Sequence, residues 1–350
     1  MGFISIPNVQ VSGISACVPK EVIAVSDFTL FTNSDSENFS KTTGVKYRRI
    51  ASDEICASDL CFAAAEKLLS DLNWTKDEVE CLVYVTQTPD FKIPATSPIL
   101  QHRLGLPMSC MTLDVSLGCS GWVYGLSVIS SLLSHGGIKK GLLLVGDTIL
   151  KTCSVNDKST YPLFGDAGSA TALEYKLNNQ MYFNLMSDGE GFEVIKINDG
   201  GYRNPVNKDS FIKHQVNDGV NRNRLQLHLE GMDVFTFGIS KAPKSINQLV
   251  DFFQLDLEKV DFFIMHQANK MMNEKIKSKL KLSDSKCPYS IYEFGNTSCA
   301  SIPLTMVTEM NEQLQVLKLK NIACGFGVGL SWGSVYFETD KIVVSELIEI

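Results

Sequence analysis

The chain has 350 residues, 44% hydrophobic and 20% charged, enough for one large α/β core or two fused halves. A net charge of −7 argues against a nucleic-acid-binding body, which would carry a basic surplus. No apolar run approaches the ~18–20 residues of a membrane-spanning helix, and the N-terminus lacks the charged-then-apolar pattern of a signal peptide. In chain order, residues 58–69 read as a helix and 80–86 as a strand. The run Leu113-Asp114-Val115-Ser116-Leu117-Gly118-Cys119-Ser120-Gly121-Trp122 is β-prone as far as a Gly-Cys turn. Val123, Leu126, Val128, Ile129, Leu132 and Leu133 then recur at helical spacing, predicting strand, tight turn and buried helix. Residues 141–146 form a further strand, and 165–173 turn into another. The polar stretch 199–224 reads as a solvated surface loop, and 234–253 as a helix complicated by Pro243.

Ten cysteines are scattered without a paired C-x-x-C framework, so neither a zinc site nor a disulfide scaffold is indicated, and a reducing cytoplasm fits. Met1-Gly2 opens like a myristoylation start, but Ile6 stands where Ser or Thr is needed. Most of the cysteines read as packing, because free Cys is among the most buried residue types. Cys119 is the exception. Its place at a helix N-terminus favours the thiolate, the nucleophilic form that can hold an acyl group as a thioester. Two partners stand downstream: His266 in Met265-His266-Gln267-Ala268-Asn269, and Asn296 in Gly295-Asn296-Thr297-Ser298.

A faint internal repeat recurs at an offset of 181 residues, pairing Val79-Glu80-Cys81-Leu82-Val83 with Val260-Asp261-Phe262-Phe263-Ile264 and Leu144-Val145-Gly146 with Gly325-Phe326-Gly327. It also drops Cys119 beside the turn that carries Asn296. The repeat predicts two similar α/β halves whose strand ends face each other. Their boundaries are set at 1–178, with the cysteine, and 179–350, with the histidine and asparagine.

With Phe164-Gly165-Asp166-Ala167-Gly168 and Gly325-Phe326-Gly327-Val328-Gly329-Leu330-Ser331-Trp332-Gly333-Ser334, these motifs resemble the β-ketoacyl-acyl-carrier-protein synthases III, condensing enzymes of the thiolase fold. The resemblance runs from about Thr43-Gly44 to Trp332. It implies an α/β, thiolase-like fold of two duplicated halves packed as a layered αβαβα core. It also implies an acyltransferase of lipid or fatty acid biosynthesis, forming a homodimer in the cytoplasm. Cys119 would take an acyl group from a thioester, and His266 and Asn296 would receive malonyl-carrier protein for decarboxylative Claisen condensation. The backbone N–H groups of Cys119 and Val328 would hold the tetrahedral oxyanion. No metal or tightly bound cofactor is implied, only thioester substrates. Asn suits electrophilic stabilisation because it cannot titrate. The glycines at 325, 327 and 329 allow close approach and unusual φ values. No phosphate-loop G-K-[ST] follows them.

The departures concern substrate. Where the family stacks adenine between a Trp and an Arg, this chain has Asn38 and Thr42, and a further Arg becomes Lys158. Lost stacking of ~1–3 kcal/mol per base moves weight from CoA to acyl-carrier-protein donors, with both open. Ile93 stands where a Phe commonly reaches across the dimer to bound the partner's acyl pocket, and Val328 replaces a frequent Gly without removing the amide. On a helix from 270, Lys270, Lys277 and Lys281 fall near one face, opposite Met272, Ile276 and Leu280, and suggest a docking strip for acidic carrier protein. Met271 stands where the family has an Arg. Competing readings are transfer of the acyl group to an alcohol or amine, and a non-catalytic partner subunit. The intact Cys, His and Asn argue for condensation in a specialised lipid, polyketide or surface-polysaccharide pathway.

Overall fold

The computed structural model describes residues 2–350. Its main sheet has ten strands, and two long ones carry the architecture. Strand β1 (Phe3–Val18) pairs antiparallel along most of its length with a strand at Ala167–Ser187. The first half of the latter, Ala167 to Glu174, pairs with Lys140–Asp147, and its second half, Tyr182 to Ser187, pairs with Ser331–Asp340. Two sheet regions result, each sharing half of the same two strands. The 178/179 division falls inside the long strand, at Asn178, which adopts φ 67°.

Three parallel neighbours complete the first region: β2 (Cys81–Val85), β3 (Met111–Val115) and β4 (Lys140–Asp147). With Ala167–Ser187 taken as β5, the second region adds β6 (Phe262–Met265), β7 (Lys318–Gly327) and β8 (Ser331–Asp340). The 181-residue offset carries β2 onto β6 and β4 onto β7, so the repeated sequence marks equivalent strands.

Three layers of helix enclose these sheets. Between them lie α1 (Gly121–Leu133) and α2 (Ser301–Glu309), whose buried Trp122, Leu126, Ile129, Ile302 and Leu304 join both regions in one apolar cluster. The helix at Ala57–Asp71 covers the outer face of the first region through Leu60, Ala64 and Leu68. α3 (Gly231–Phe253) and α4 (Lys270–Leu280) cover the second. Pro243 sits inside α3 without ending it, buried beside Ala242, because packing on the sheet offsets the missing N–H bond. Among the described residues no helix is long and apolar enough to cross a membrane.

The stretch 199–224 is more ordered than a solvated loop. It contains an antiparallel pair, His214–Asn217 with Val220–Arg222, and two anchoring ion pairs. Arg222 meets the buried Asp157 at 3.0 Å, and Arg224 meets Asp199 at 2.8 Å. These charges pair across long sequence separations, which composition alone does not reveal.

Candidate active site

The site lies where corresponding strand ends of the two regions meet. β3 ends at Val115, the chain turns through Gly118, and Cys119 precedes α1. His266 follows the last residue of β6, Asn296 lies in the turn leading to α2, and Val328 follows β7. Cys119, His266, Asn296 and Val328 all line one cavity of about 280 Å³. Its walls are mainly apolar, with Ile149, Leu163, Phe164, Leu227, Leu229 and Phe326 among them.

Glycine makes this approach possible. A Cβ on Gly327 would fall 2.6 Å from Cys119 Cβ and 2.9 Å from its sulfur, and one on Gly325 would fall 2.8 Å from the Cys119 carbonyl oxygen. Close approach is therefore required at both positions, whereas Gly329, the third glycine of this run, has positive φ, at 132°.

Burial, followed by the Asp147 carboxylate, pushes the Cys119 thiol up to about 12. Burial thus acts against the thiolate that the helix terminus favours. The Ser298 hydroxyl and the N–H groups of Cys119 and Val328 oppose the shift.

His266 is 1% exposed, and burial holds its imidazole down at about 3, hence neutral. Its Nδ1 lies 2.7 Å from Ser301 Oγ. That hydroxyl also accepts the Gln267 N–H, and among the described residues its proton has no acceptor other than Nδ1. Ser301 therefore donates to Nδ1, which leaves the ring proton on Nε2, and the Ser298 backbone favours the protonated ring. Asn296 is fixed comparably. Its Oδ1 accepts the Ser298 N–H at 3.0 Å, and among the described residues no group accepts from its Nδ2. Ser298 reaches this place through a left-handed backbone, φ 50°.

Asp147 ends an apolar strand and is fully buried, with burial raising its carboxyl above the ordinary range. Its Oδ1 accepts from Thr86 Oγ1 at 2.9 Å and from the Gln87 N–H at 2.7 Å, while Oδ2 accepts from Cys299 Sγ at 3.3 Å. It thereby ties the turn after β2 to the asparagine turn. Asp147, Ser298, Ser301 and Gln87 were not singled out by sequence reasoning. An acid closing the apolar run 141–146 is the signal that marks Asp147, and no comparable local signal marks the others.

The remaining sequence candidates lie elsewhere. Ile93 is 77% exposed and does not line this chain's cavity. Asn38 and Thr42 are exposed on the helix at Asn33–Thr43, and Lys158 is engaged with Asp218 at 2.8 Å. The docking strip needs correction at Lys277. That residue is buried, and its ammonium contacts both Glu274 and Asp284 at 2.6 Å. Lys270 is half-buried over the Tyr292 ring, and Lys281 is exposed.

A cysteine at a helix start, faced by a neutral histidine and an asparagine across two sheets related by internal duplication, defines a thiolase-fold condensing acyltransferase. Family models described as 3-oxoacyl-[acyl-carrier-protein (ACP)] synthase III and its C-terminal region match residues 113–189 and 251–339. A β-ketoacyl-[acyl-carrier-protein] synthase III of Streptococcus agalactiae is 30% identical over 334 residues, covering 93% of this chain and 98% of that protein. The crystal structure of a 3-oxoacyl-(acyl-carrier protein) synthase from Burkholderia xenovorans superposes with a TM-score of 0.93 at 35% identity, covering 99% of both chains. The corresponding synthase III of Pseudomonas aeruginosa gives 0.80 at 28% identity, over 96% of this chain and 99% of that one. The chain belongs to the 3-oxoacyl-acyl-carrier-protein synthase III family.

Proposed function

We propose that Cys119 takes an acyl group from a thioester donor and that His266 and Asn296 prepare malonyl-acyl-carrier protein to extend it. The observation that carries this reading is the meeting of Cys119, His266, Asn296 and the Val328 amide on one cavity. Loading forms the bond from Cys119 Sγ to the acyl carbon and breaks the donor's C–S bond, and the thiol proton leaves on the departing sulfur. The malonyl carboxylate then departs as carbon dioxide, and its electron pair becomes an enolate. The enolate oxygen accepts from His266 Nε2–H and Asn296 Nδ2–H, donors that are already oriented. No carboxylate base is needed, because decarboxylation itself supplies the carbanion. The enolate carbon attacks the acyl carbonyl while the N–H groups of Cys119 and Val328 hold the oxyanion. Collapse breaks the C–S bond, releases a β-ketoacyl thioester, and the Cys119 sulfur takes a proton from solvent.

Acyl-carrier protein is the donor favoured here, because neither Asn38 nor Thr42 offers an aromatic ring or a guanidinium for stacking adenine. A homodimer is supported by the edge strand β3, with Met111 and Leu113 exposed. The segment bearing the exposed Phe91 and Ile93 adjoins it, through Thr96 and Ser97 N–H bonds to Asp114 at 2.7 Å. Carrier-protein chemistry and ten free cysteines suit the cytoplasm. Transfer to an alcohol or amine gains nothing from Asn296, which cannot act as a base for such a nucleophile.

The test is intact-protein mass spectrometry with a panel of acyl-CoA and acyl-carrier-protein thioesters, followed by carbon dioxide release from malonyl-carrier protein. Cys119→Ala should abolish loading. Asn296→Ala should load normally yet lose about 10²–10³ in decarboxylation, the usual cost of one oxyanion donor. Normal condensation by Asn296→Ala refutes the mechanism.

A further inference from the structure

Gln87 is a polar side chain of this cavity for which the mechanism above has no use, and it stands beside the residue that precedes the nucleophile. Its backbone is immobilised. The Gln87 N–H donates to Asp147 at 2.7 Å, and on either side Thr86 Oγ1 bonds Asp147 and Thr88 N–H bonds Thr86 Oγ1 at 3.0 Å. The Thr148 N–H closes the turn by donating to Thr88 Oγ1 at 3.0 Å. The turn fixes where the side chain starts, and its direction is given by what it lies against.

Its aim is the residue next to the nucleophile. The Gln87 Oε1 lies 2.0 Å, and its Cδ 2.6 Å, from the point where a Cβ on Gly118 would stand. Val328 Cγ1 closes the same space at 2.7 Å. The amide end of Gln87 and Val328 Cγ1 therefore fill the space where a side chain at 118 would begin, directly before Cys119. Gln87 also lines the cavity that holds the sulfur.

A glutamine amide carries two donors and an acceptor. Among the described residues, no protein group hydrogen-bonds the Gln87 side chain. An aliphatic acyl chain laid against it would displace water and return nothing, leaving the amide unpaired. An acyl group carrying its own hydroxyl would satisfy it. Sites built around such a bond discriminate strongly against analogues lacking the group, whereas purely apolar pockets discriminate weakly.

We propose that Gln87 selects an oxygenated acyl group, a hydroxyacyl thioester with its hydroxyl on the second or third carbon, as the group loaded on Cys119. This rests on the condensing reading and specifies its substrate class. The short path from Gly118 to Cys119 places the hydroxyl close to the thioester rather than at a chain end.

The experiment compares the rate of acyl-Cys119 formation from butyryl- and 3-hydroxybutyryl-carrier protein by intact-protein mass spectrometry, followed by product formation with malonyl-carrier protein. The wild-type protein should load the hydroxylated donor at least about tenfold faster. Gln87→Met, similar in length but without the amide, should remove that preference, mainly by slowing the hydroxylated donor. Equal loading of the two donors by the wild type overturns the proposal without any variant, as does an equal loss for both donors in Gln87→Met, which would place the amide on the carrier arm instead. Selective loading without any β-ketoacyl product would leave the selection by Gln87 standing and sink the condensing reading. Butyryl preference with normal condensation would do the reverse.

Discussion

The hydroxyl of Ser301 bears on a step it never touches, and Ser301→Ala isolates that effect. His266 can donate to an enolate oxygen only while its proton rides on Nε2, and the 2.7 Å contact between Ser301 Oγ and Nδ1 is what fixes that tautomer. Without it, Nδ1 faces a buried space with no donor, and the ring gains by shifting its proton to Nδ1 or by turning. The direct loss to folding is one neutral hydrogen bond, about 1 kcal/mol. The loss to catalysis is larger, because partners that orient a reacting imidazole typically matter about 10–100-fold, equivalent to about 1.4–2.7 kcal/mol of barrier. The cost should fall on one half-reaction only. Mass spectrometry should find wild-type loading of Cys119, while single-turnover carbon dioxide release from malonyl-carrier protein drops about 10–100-fold. A general loosening of the site would slow both steps together. Wild-type decarboxylation, or equal slowing of loading, refutes the tautomer argument.

Gly327→Ala should place a methyl 2.6 Å from Cys119 Cβ, against two short, rigid strand-end segments. Overpacking of this kind should cost about 1–3 kcal/mol in chemical denaturation and slow loading, and an unchanged midpoint with normal loading would refute the close approach. Acid stability offers a separate check on His266. Its folded pKa is depressed from 6.5 to about 3, so between those values the unfolded chain binds the extra proton. Stability from this group is full above pH 6.5 and falls by about 1.4 kcal/mol per unit as pH drops toward 3. Asp166, raised by burial to about 7, has the opposite sign between 3.8 and 7, since there the folded state holds the extra proton. The informative quantity is therefore the difference between wild type and His266→Gln, whose unfolding free energy should lack the histidine slope. Parallel curves for the two proteins would mean that the imidazole is not buried neutral.

What could be read from the sequence was whatever a local pattern or a repeat encodes. The continuous apolar and helical runs located β2, β4 and α1, and the 181-residue offset anticipated that Cys81–Val85 and Phe262–Met265 are equivalent strands. Cys119, His266 and Asn296 were legible because each terminates a recognisable run, and strand ends are where such folds gather chemistry. Lys277 was misplaced for a reason helical counting cannot correct. It sits at the margin of the apolar stripe, and Asp284 and Tyr289, from the chain beyond the helix, close over it. Ser301, Gln87 and Asp147 act through partners 35, 60 and 61 residues away, respectively, and so left no local pattern.

The choice between CoA and carrier-protein donors then turns on what remains available around the cavity. A nucleotide donor needs a flat face for its base and free cations for its phosphates. Asn38 and Thr42 offer hydrogen bonds but no face. Lys158 is held by Asp218, and Lys196, which lines the cavity, is paired with Glu193 and lies over the Phe192 ring. A carrier protein makes smaller demands inside the cavity, because its arm ends in amides and a thioester, and its acidic surface can use lysines at a distance from it. With Lys277 neutralised, that surface is left with Lys281 and the exposed Lys275 and Lys279 of α4, together with the half-buried Lys270. Exposed lysines of this kind contribute mainly to encounter rate and its salt dependence rather than to affinity. The donor panel is therefore best run at two ionic strengths. Loading from carrier protein that slows with salt, beside CoA loading that is weak at both, is the pattern these residues specify, and rapid, salt-insensitive loading from CoA would refute it.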